Sequence, residues 1–163
     1  MQVRVLSSPP FQFWILVWDF GFVRNPKSTF RFHDMNLSRL LVIHAILTFA
    51  AGFALIVAPG MIPAAVGIRV DPSAYLICYL LGAAELSIGV LSIYGSSPRP
   101  SDSLRVIVLT IVVFHVSSAL VEILAFVHGV SAAIWINIAV RVLAVILFVH
   151  YGIYKSPAKN QSA

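Results

Sequence analysis

The sequence predicts an all-α protein, a four-transmembrane-helix bundle whose helices run up, down, up and down. Of its 163 residues, 60% are apolar and only 10% are charged, whereas about a quarter of the residues of a soluble globular domain are charged. Four apolar stretches each have the roughly 20 residues that an α-helix needs to cross a bilayer. The loops between them are too short to hold a second domain.

Helix-breaking and helix-capping residues set the bounds of the predicted spans. Proline lacks a backbone N–H and glycine is costly inside a helix, so Pro59 and Pro98, each beside glycine or serine, follow the first two spans. Clusters of the capping type around Asp71 and Asp102 precede the second and third spans. The spans are predicted at residues 37–58, 73–94, 104–127 and 132–154.

The basic residues predict how the bundle is oriented, because loops rich in Lys and Arg stay on the cytoplasmic side. The predicted topology places nine of them on one side: Arg4, Arg24, Lys27, Arg31, Arg39, Arg99, Arg105, Lys155 and Lys159. The other side has only Arg69, since Arg141 lies inside the fourth span. We therefore expect a multi-pass protein of the bacterial inner membrane with both termini cytoplasmic. The net charge of +5 then indicates membrane orientation and not a nucleic-acid partner.

The segment before the first span has a separate interpretation. Residues 1–34 contain an apolar stretch at 11–23 that is too short to span. A signal-peptide core is one interpretation, although no small-residue cleavage site follows it. An anchor lying in the membrane interface and a native start at Met35 both remain open. The transmembrane domain is predicted at residues 35–155, and residues 156–163 form a cytoplasmic tail.

Six polar residues inside the predicted spans are the candidate site. They are Glu85, His115, Glu122, Arg141, His44 and Asn137. Ionisable residues at mid-helix cost about 2.5 to 3.5 kcal/mol each on insertion scales, so they mark function or specific pairing. At 1.5 Å per residue from each span midpoint, Glu85, His115 and Arg141 fall near the membrane centre. Glu122 and Asn137 fall about 9 Å towards the outer face.

The second span carries its glutamate on a stripe of small residues. Cys78, Gly82, Glu85, Gly89 and Ser92 share one face of a helix. Small residues let helices approach closely in a membrane. We therefore expect this stripe to be buried against a neighbouring span.

Three interpretations of the polar residues stay open on the sequence alone. They can pair to fix helix register, they can form a pocket that takes a proton or small ligand, or they can meet across an oligomer. No metal site is predicted, because His115 and Glu122 are seven residues apart and not three or four. His44 and His115 lie at similar depth on parallel helices and could be two axial haem ligands, but packing is the more common role, so no cofactor is predicted.

Two short motifs resemble a known family. Gly52-Phe-Ala-Leu-Ile-Val-Ala-Pro59 closes the first span, and Leu81-Gly-Ala-Ala-Glu85-Leu-Ser-Ile-Gly89 lies in the second. Over residues 35–155 the chain resembles the small four-helix bacterial membrane proteins of the DoxX-like group. The resemblance implies that Glu85 matches the family's acidic residue, and some members are linked to quinol oxidase or thiol-redox membrane complexes. The chain departs from the pattern at His44, and no lysine follows in that span.

The leading functional prediction is a small accessory or interaction subunit of a membrane complex. The chain has no P-loop, GxGxxG or HExxH motif, so an enzyme is the less favoured class. The alternatives are binding or transport of a small molecule or proton through a central polar pocket, and an enzyme acting on a quinone or lipid with His115 and Glu122 as acid and base. The expected partners are the lipid bilayer and a membrane protein or a second copy of this chain.

Overall fold

The computed structural model describes residues 36–98 and 100–155. Within these ranges the chain is helical and has no strand, and four helices are long and apolar enough to cross a membrane. The predicted fold class is confirmed, and the chain is an integral membrane protein. The predictions for residues 1–34, for Arg99 and for the tail at 156–163 lie outside the described residues. The spans are Leu37–Val57, Pro72–Ser96, Ser101–Val127 and Ile134–Tyr154.

A capping residue and a proline set the two ends of span one. The side chain of Asn36 caps its start by accepting a hydrogen bond from the backbone N–H of Arg39 at 2.9 Å. The helix ends at Val57, just before Pro59. A short helix, Met61–Ala65, follows in the loop. This short helix was not predicted from the sequence.

Span two opens with a 3-10 turn, Pro72–Ala74, and continues as the α-helix Tyr75–Ser96. The carboxylate of Asp71 accepts hydrogen bonds from the hydroxyl of Ser73 at 2.7 Å and from its backbone N–H at 2.9 Å. These two bonds hold the pKa of Asp71 below its ordinary value. The cap therefore stabilises the fold above the ordinary carboxyl pKa, and this contribution is lost as the pH falls through the lowered value.

Span three starts three residues before its predicted beginning. The helix begins at Ser101, because the capping-type residues after Pro100 form its first turn. Asp102 lies in that turn, where a negative charge interacts favourably with the helix dipole. The helix ends at Val127, and Gly129 takes a positive φ of 98° in the turn that follows.

Span four changes its winding near its end. It is an α-helix over Ile134–Phe148 and a π-helix over Val149–Tyr154. The wider turn brings Gly152 against span three, where an added Cβ would lie 2.7 Å from Cγ1 of Val108. The π-helical turn was not predicted.

Glycines allow spans one and two to pack closely. A Cβ on Gly52 would lie 2.8 Å from the carbonyl oxygen of Gly82, and a Cβ on Gly82 would lie 2.9 Å from that of Gly52. The predicted small-residue stripe of span two is buried as expected. The core beside it is formed by Leu40, Leu41, Ile107, Val108, Ile111 and Phe148.

The bundle has two ends, which we name for what they carry. The terminal face holds the start of span one, the end of span two, the start of span three and the end of span four. There the hydroxyl of Ser38 donates to the carbonyl of Ser96 at 2.6 Å. The loop face is the opposite end and holds the turns around Pro59 and Gly129.

An intramembrane polar cluster

The depth of each polar residue can be counted in residues along its span, starting from one reference level near the terminal face. At that level Gly95 packs against Ile107 and Leu41, since its Cβ would lie 3.0 and 3.4 Å from their side chains. His44 is three residues deeper than Leu41, or about 4.5 Å, and His115 is eight residues deeper than Ile107, or about 12 Å. The imidazole side chains of His44 and His115 bridge this difference in depth.

The remaining candidates lie deeper on the same scale. Glu85 is ten residues from Gly95, or about 15 Å. Glu122 lies at about 22 Å, and the Gly152 contact places Arg141 at about 18 Å and Asn137 at about 24 Å. The polar residues thus form a series about 20 Å long in a hydrocarbon core of about 30 Å. This is the order that the span midpoints predict.

The first part of the series is a hydrogen-bonded histidine group made of His44, Ser92 and His115. Nδ1 of His44 lies 2.8 Å from Oγ of Ser92, and its Nε2 lies 2.8 Å from Nε2 of His115. All three side chains are buried. The His44 ring also meets Phe148 edge-on at 5.1 Å between ring centroids, so all four spans contribute to the surroundings of this group.

The hydrogen positions of the histidine group follow from counting protons. We assign the single hydrogen of the Ser92 hydroxyl to the carbonyl of Ile88, which lies at 2.8 Å, and this assignment makes Nδ1 of His44 the donor to Ser92. Nε2 of a neutral His44 is then an acceptor, and Nε2–H of His115 donates to it. Nδ1 of a neutral His115 is therefore an unprotonated acceptor, and it is buried without a hydrogen-bond partner among the described residues.

The second part of the series is a carboxylate group made of Glu85, Glu122, Asn137 and Arg141. Oε1 of Glu122 accepts from Nδ2 of Asn137 at 2.6 Å and from Nε of Arg141 at 2.7 Å. Oε2 of Glu122 is buried and, within the described part of the chain, has no hydrogen-bond partner. The Glu122–Arg141 pair closes within one copy of the chain and does not need a second subunit.

Glu85 is held differently from Glu122. Its side chain is buried, with 7% of the residue exposed. Nη2 of Arg141 lies 4.0 Å from its Oε1, beyond hydrogen-bond distance. A buried carboxylate without hydrogen bonds costs several kcal/mol in its ionised form. Among the described residues, Glu122 therefore has two short hydrogen bonds on Oε1, and Glu85 has an ion pair at 4.0 Å without a hydrogen bond.

Two partners of His44, one a hydroxyl group and the other an aromatic ring, were not predicted as parts of the site. Ser92 was placed on the buried stripe but not as the partner of His44, and Phe148 was not singled out. Their helical faces could have indicated burial, but the contact itself depends on how span four packs at Gly152. The hydroxyl of Thr48 is occupied locally, since it donates to the carbonyl of His44 at 3.0 Å.

The spacing of the two histidine nitrogens is that of a hydrogen bond and is shorter than the spacing of two axial haem ligands. Two metal–nitrogen bonds of about 2 Å on opposite sides of a metal place the nitrogens about 4 Å apart. The Nε2 atoms of His44 and His115 are 2.8 Å apart, which is a hydrogen-bond distance. In residues 36–98 and 100–155, no three His, Cys, Asp or Glu side chains are grouped so that they could hold a metal ion.

Comparison with known proteins returned no match, whether to a family model, to a curated protein or to a solved structure. The resemblance to the DoxX-like group therefore stays a prediction that rests on the motifs around Gly52 and Glu85.

Proposed function

We propose that this protein binds protons inside the bilayer and transfers them along the polar cluster. The observation that carries the proposal is Nδ1 of His115, which is buried without a partner among the described residues and ends a chain of hydrogen bonds. An imidazole nitrogen with a free lone pair accepts a proton, and histidine is the side chain whose ordinary titration lies nearest neutral pH.

The histidine group can relay a proton without moving its heavy atoms. A proton that arrives on Nδ1 of His115 makes that ring an imidazolium, and its Nε2 proton then passes to Nε2 of His44 across 2.8 Å. His44 becomes the imidazolium, and its Nδ1 proton lies on the hydrogen bond to Oγ of Ser92 at 2.8 Å. Onward transfer requires Ser92 to take this proton and to give its own hydroxyl hydrogen to an acceptor nearer the terminal face. One proton then enters and one leaves, and both rings exchange tautomers.

Close contacts favour a proton over a larger ligand. The hydrogen-bonded atoms within each group meet at 2.6 to 2.8 Å, so a molecule placed between them would have to separate them first. A proton needs no cavity. The length of the polar series also supports transfer, because pairing that only fixed helix register would need one level and not about 20 Å of depth.

Proton flux into liposomes tests the proposal. The purified protein is reconstituted with a pH-sensitive dye inside the vesicles, and a potassium diffusion potential drives uptake. We expect wild-type uptake above that of protein-free liposomes, and loss of this difference in both His115→Asn and His44→Asn. The matched control is His128→Asn, since His128 is exposed at the loop face. Wild-type uptake at the protein-free level, or a wild-type rate in His115→Asn, would overturn the proposal.

An accessory role in a membrane complex is the second candidate. The observation that favours it is a lipid-facing patch of small residues on span two, formed by Ala83, Ala84 and Ser87, which are exposed. Small residues are typical of surfaces where membrane helices approach closely. If this role holds, Ala84→Trp should abolish co-purification of a stoichiometric membrane partner while leaving proton uptake unchanged. Purification of the wild type from native membranes without such a partner would contradict it.

We also propose the orientation and membrane expected from the charges. Among the described residues, Arg39, Arg105 and Lys155 lie at the terminal face and Arg69 lies at the loop face. The positive-inside rule then places the terminal face in the cytoplasm of a bacterial cell.

A further inference from the structure

Glu85 and Glu122 have opposite hydrogen-bond environments although they lie in one cluster. Glu122 accepts from one guanidinium and one amide, both within 2.7 Å. Glu85 is buried, and among the described residues its one ionic contact is Arg141 at 4.0 Å. Ionised carboxylates are stabilised by short, charge-assisted hydrogen bonds, so the ionised form suits Glu122 and does not suit Glu85.

The charges of the cluster lead to the same assignment. Arg141 carries one positive charge, and both carboxylates ionised would leave a net negative charge in the middle of the bilayer. A neutral Glu85, an ionised Glu122 paired with Arg141 and two neutral histidines sum to zero. An apolar surrounding favours this neutral sum.

A protonated Glu85 adds a donor to a cluster whose unpartnered atoms are acceptors. A neutral carboxylic acid has one O–H donor. The two buried atoms without partners in the described structure, Nδ1 of His115 and Oε2 of Glu122, are both acceptors, and Glu85 is in hydrogen-bond contact with neither. Glu85 lies within about 3 Å of His115 in depth along the bundle. Cζ of Arg141 lies 5.8 Å from the ring centroid of Phe114, the residue before His115.

We propose that Glu85 is the proton-carrying residue of the cluster and that its carboxyl group is protonated in this arrangement. Loss of this proton leaves Glu85 as a carboxylate beside Arg141, at 4.0 Å, and uptake of another proton restores the neutral acid. The functional meaning of this step rests on the proposed proton transfer.

Infrared spectroscopy of the protein in bilayers tests the assignment. Glu85 and Glu122 are the two glutamates of the sequence. Glutamate labelled with 13C at its side-chain carboxyl carbon therefore reports on these two residues alone. We expect the wild type at neutral pH to show one protonated-carboxyl C=O band that shifts with the label. The band should disappear in Glu85→Gln, because the remaining glutamate, Glu122, is ionised beside Arg141.

The stability of the same two variants gives a second readout. Glutamine closely imitates a neutral carboxylic acid, so Glu85→Gln should resist unfolding by SDS as the wild type does. Glu122→Gln removes the short ion pair with Arg141 and leaves that charge the longer contact with Glu85 at 4.0 Å, so this variant should unfold at lower SDS. A wild type without the labelled band, or a band that is kept in Glu85→Gln, overturns the proposal.

The two proposals fail in different measurements. If the labelled band behaves as expected but liposomes show no protein-dependent uptake, the proton-transfer function falls and the protonated Glu85 stands. If uptake depends on His115 but the band is absent, proton transfer stands and Glu85 is not the carrier.

Discussion

Nε2 of His44 and Nε2 of His115 lie 2.8 Å apart and can share only one hydrogen. The direction of that hydrogen bond is decided by Ser92, whose hydroxyl hydrogen is already donated to the carbonyl of Ile88. The consequence is a free lone pair on Nδ1 of His115, buried away from water. At the residue scale, a serine on span two therefore sets the chemistry of a histidine on span three.

The role of Ser92 can be tested by removing its hydroxyl. Ser92→Ala leaves the Nδ1–H of His44 buried without an acceptor, and such a loss costs about 1–3 kcal/mol. The matched control is Ser117→Ala, because Ser117 is exposed and its hydroxyl bonds only to its own helix, so its free energy of unfolding should change by no more than about 0.5 kcal/mol. Unfolding in mixed micelles measures both, and equal stabilities would contradict the assigned hydrogen bond.

The polar residues themselves were predictable, but their partners were not. Charged and imidazole side chains inside apolar runs identify the site from the sequence. The His44–His115 bond joins spans one and three, and periodicity on one helix does not reveal which other helix it faces. Likewise, the preference of Arg141 for Glu122 over Glu85 depends on distances of 2.7 and 4.0 Å that only packing sets.

At the element scale, glycines decide how the spans approach each other. Gly52 and Gly82 let the backbones of spans one and two come into contact, and this contact positions the buried stripe that carries Glu85. The sequence predicted this stripe because small residues recur on one helical face. It did not predict the π-helical turn Val149–Tyr154, since that winding has no signature in composition.

A larger side chain at Gly82 should separate spans one and two. The first added carbon of Gly82→Val would lie 2.9 Å from the backbone oxygen of Gly52, and overpacking of this kind costs about 1–3 kcal/mol. Ala83→Val adds bulk at the next position, which is exposed, and should be nearly neutral. Thermal unfolding in detergent compares the two, and equal melting temperatures would contradict the close backbone contact.

The contact between spans three and four can be tested by a compensating pair. Gly152→Ala should destabilise the bundle, because its Cβ would lie 2.7 Å from Cγ1 of Val108. Adding Val108→Ala removes both methyl groups that cause this clash, so the double variant should recover part of the loss. A double-mutant cycle measures the coupling, and strictly additive effects would show that the two residues do not meet.

At the scale of the whole molecule, the polar residues form an ordered series across most of the bilayer. The histidine group lies nearer the terminal face and the carboxylate group nearer the loop face, with Glu85 between His115 and Glu122 in depth. The outer surfaces are apolar, with large exposed side chains on all four spans. A polar interior with an apolar exterior is the arrangement expected in a bilayer, where ionisable side chains face the interior of the bundle and pair with one another.

The orientation of the molecule predicts which loops face the cytoplasm. In a Cys78→Ala background, single cysteines are introduced by Ser131→Cys at the loop face and Ser97→Cys at the terminal face, both at exposed positions. A membrane-impermeant maleimide should label Ser131→Cys in spheroplasts and label Ser97→Cys only after permeabilisation. The reverse pattern would contradict cytoplasmic termini.

The shared hydrogen between the two histidines is the central claim, and solid-state 15N NMR of the protein in bilayers tests it most directly. With histidine labelled at both ring nitrogens, at neutral pH, the account predicts that His44 is protonated at Nδ1 and His115 at Nε2. It also predicts a scalar coupling between their Nε2 atoms across the hydrogen bond, which His44→Asn removes. Two histidines with the same tautomer and no coupling between them would contradict the account.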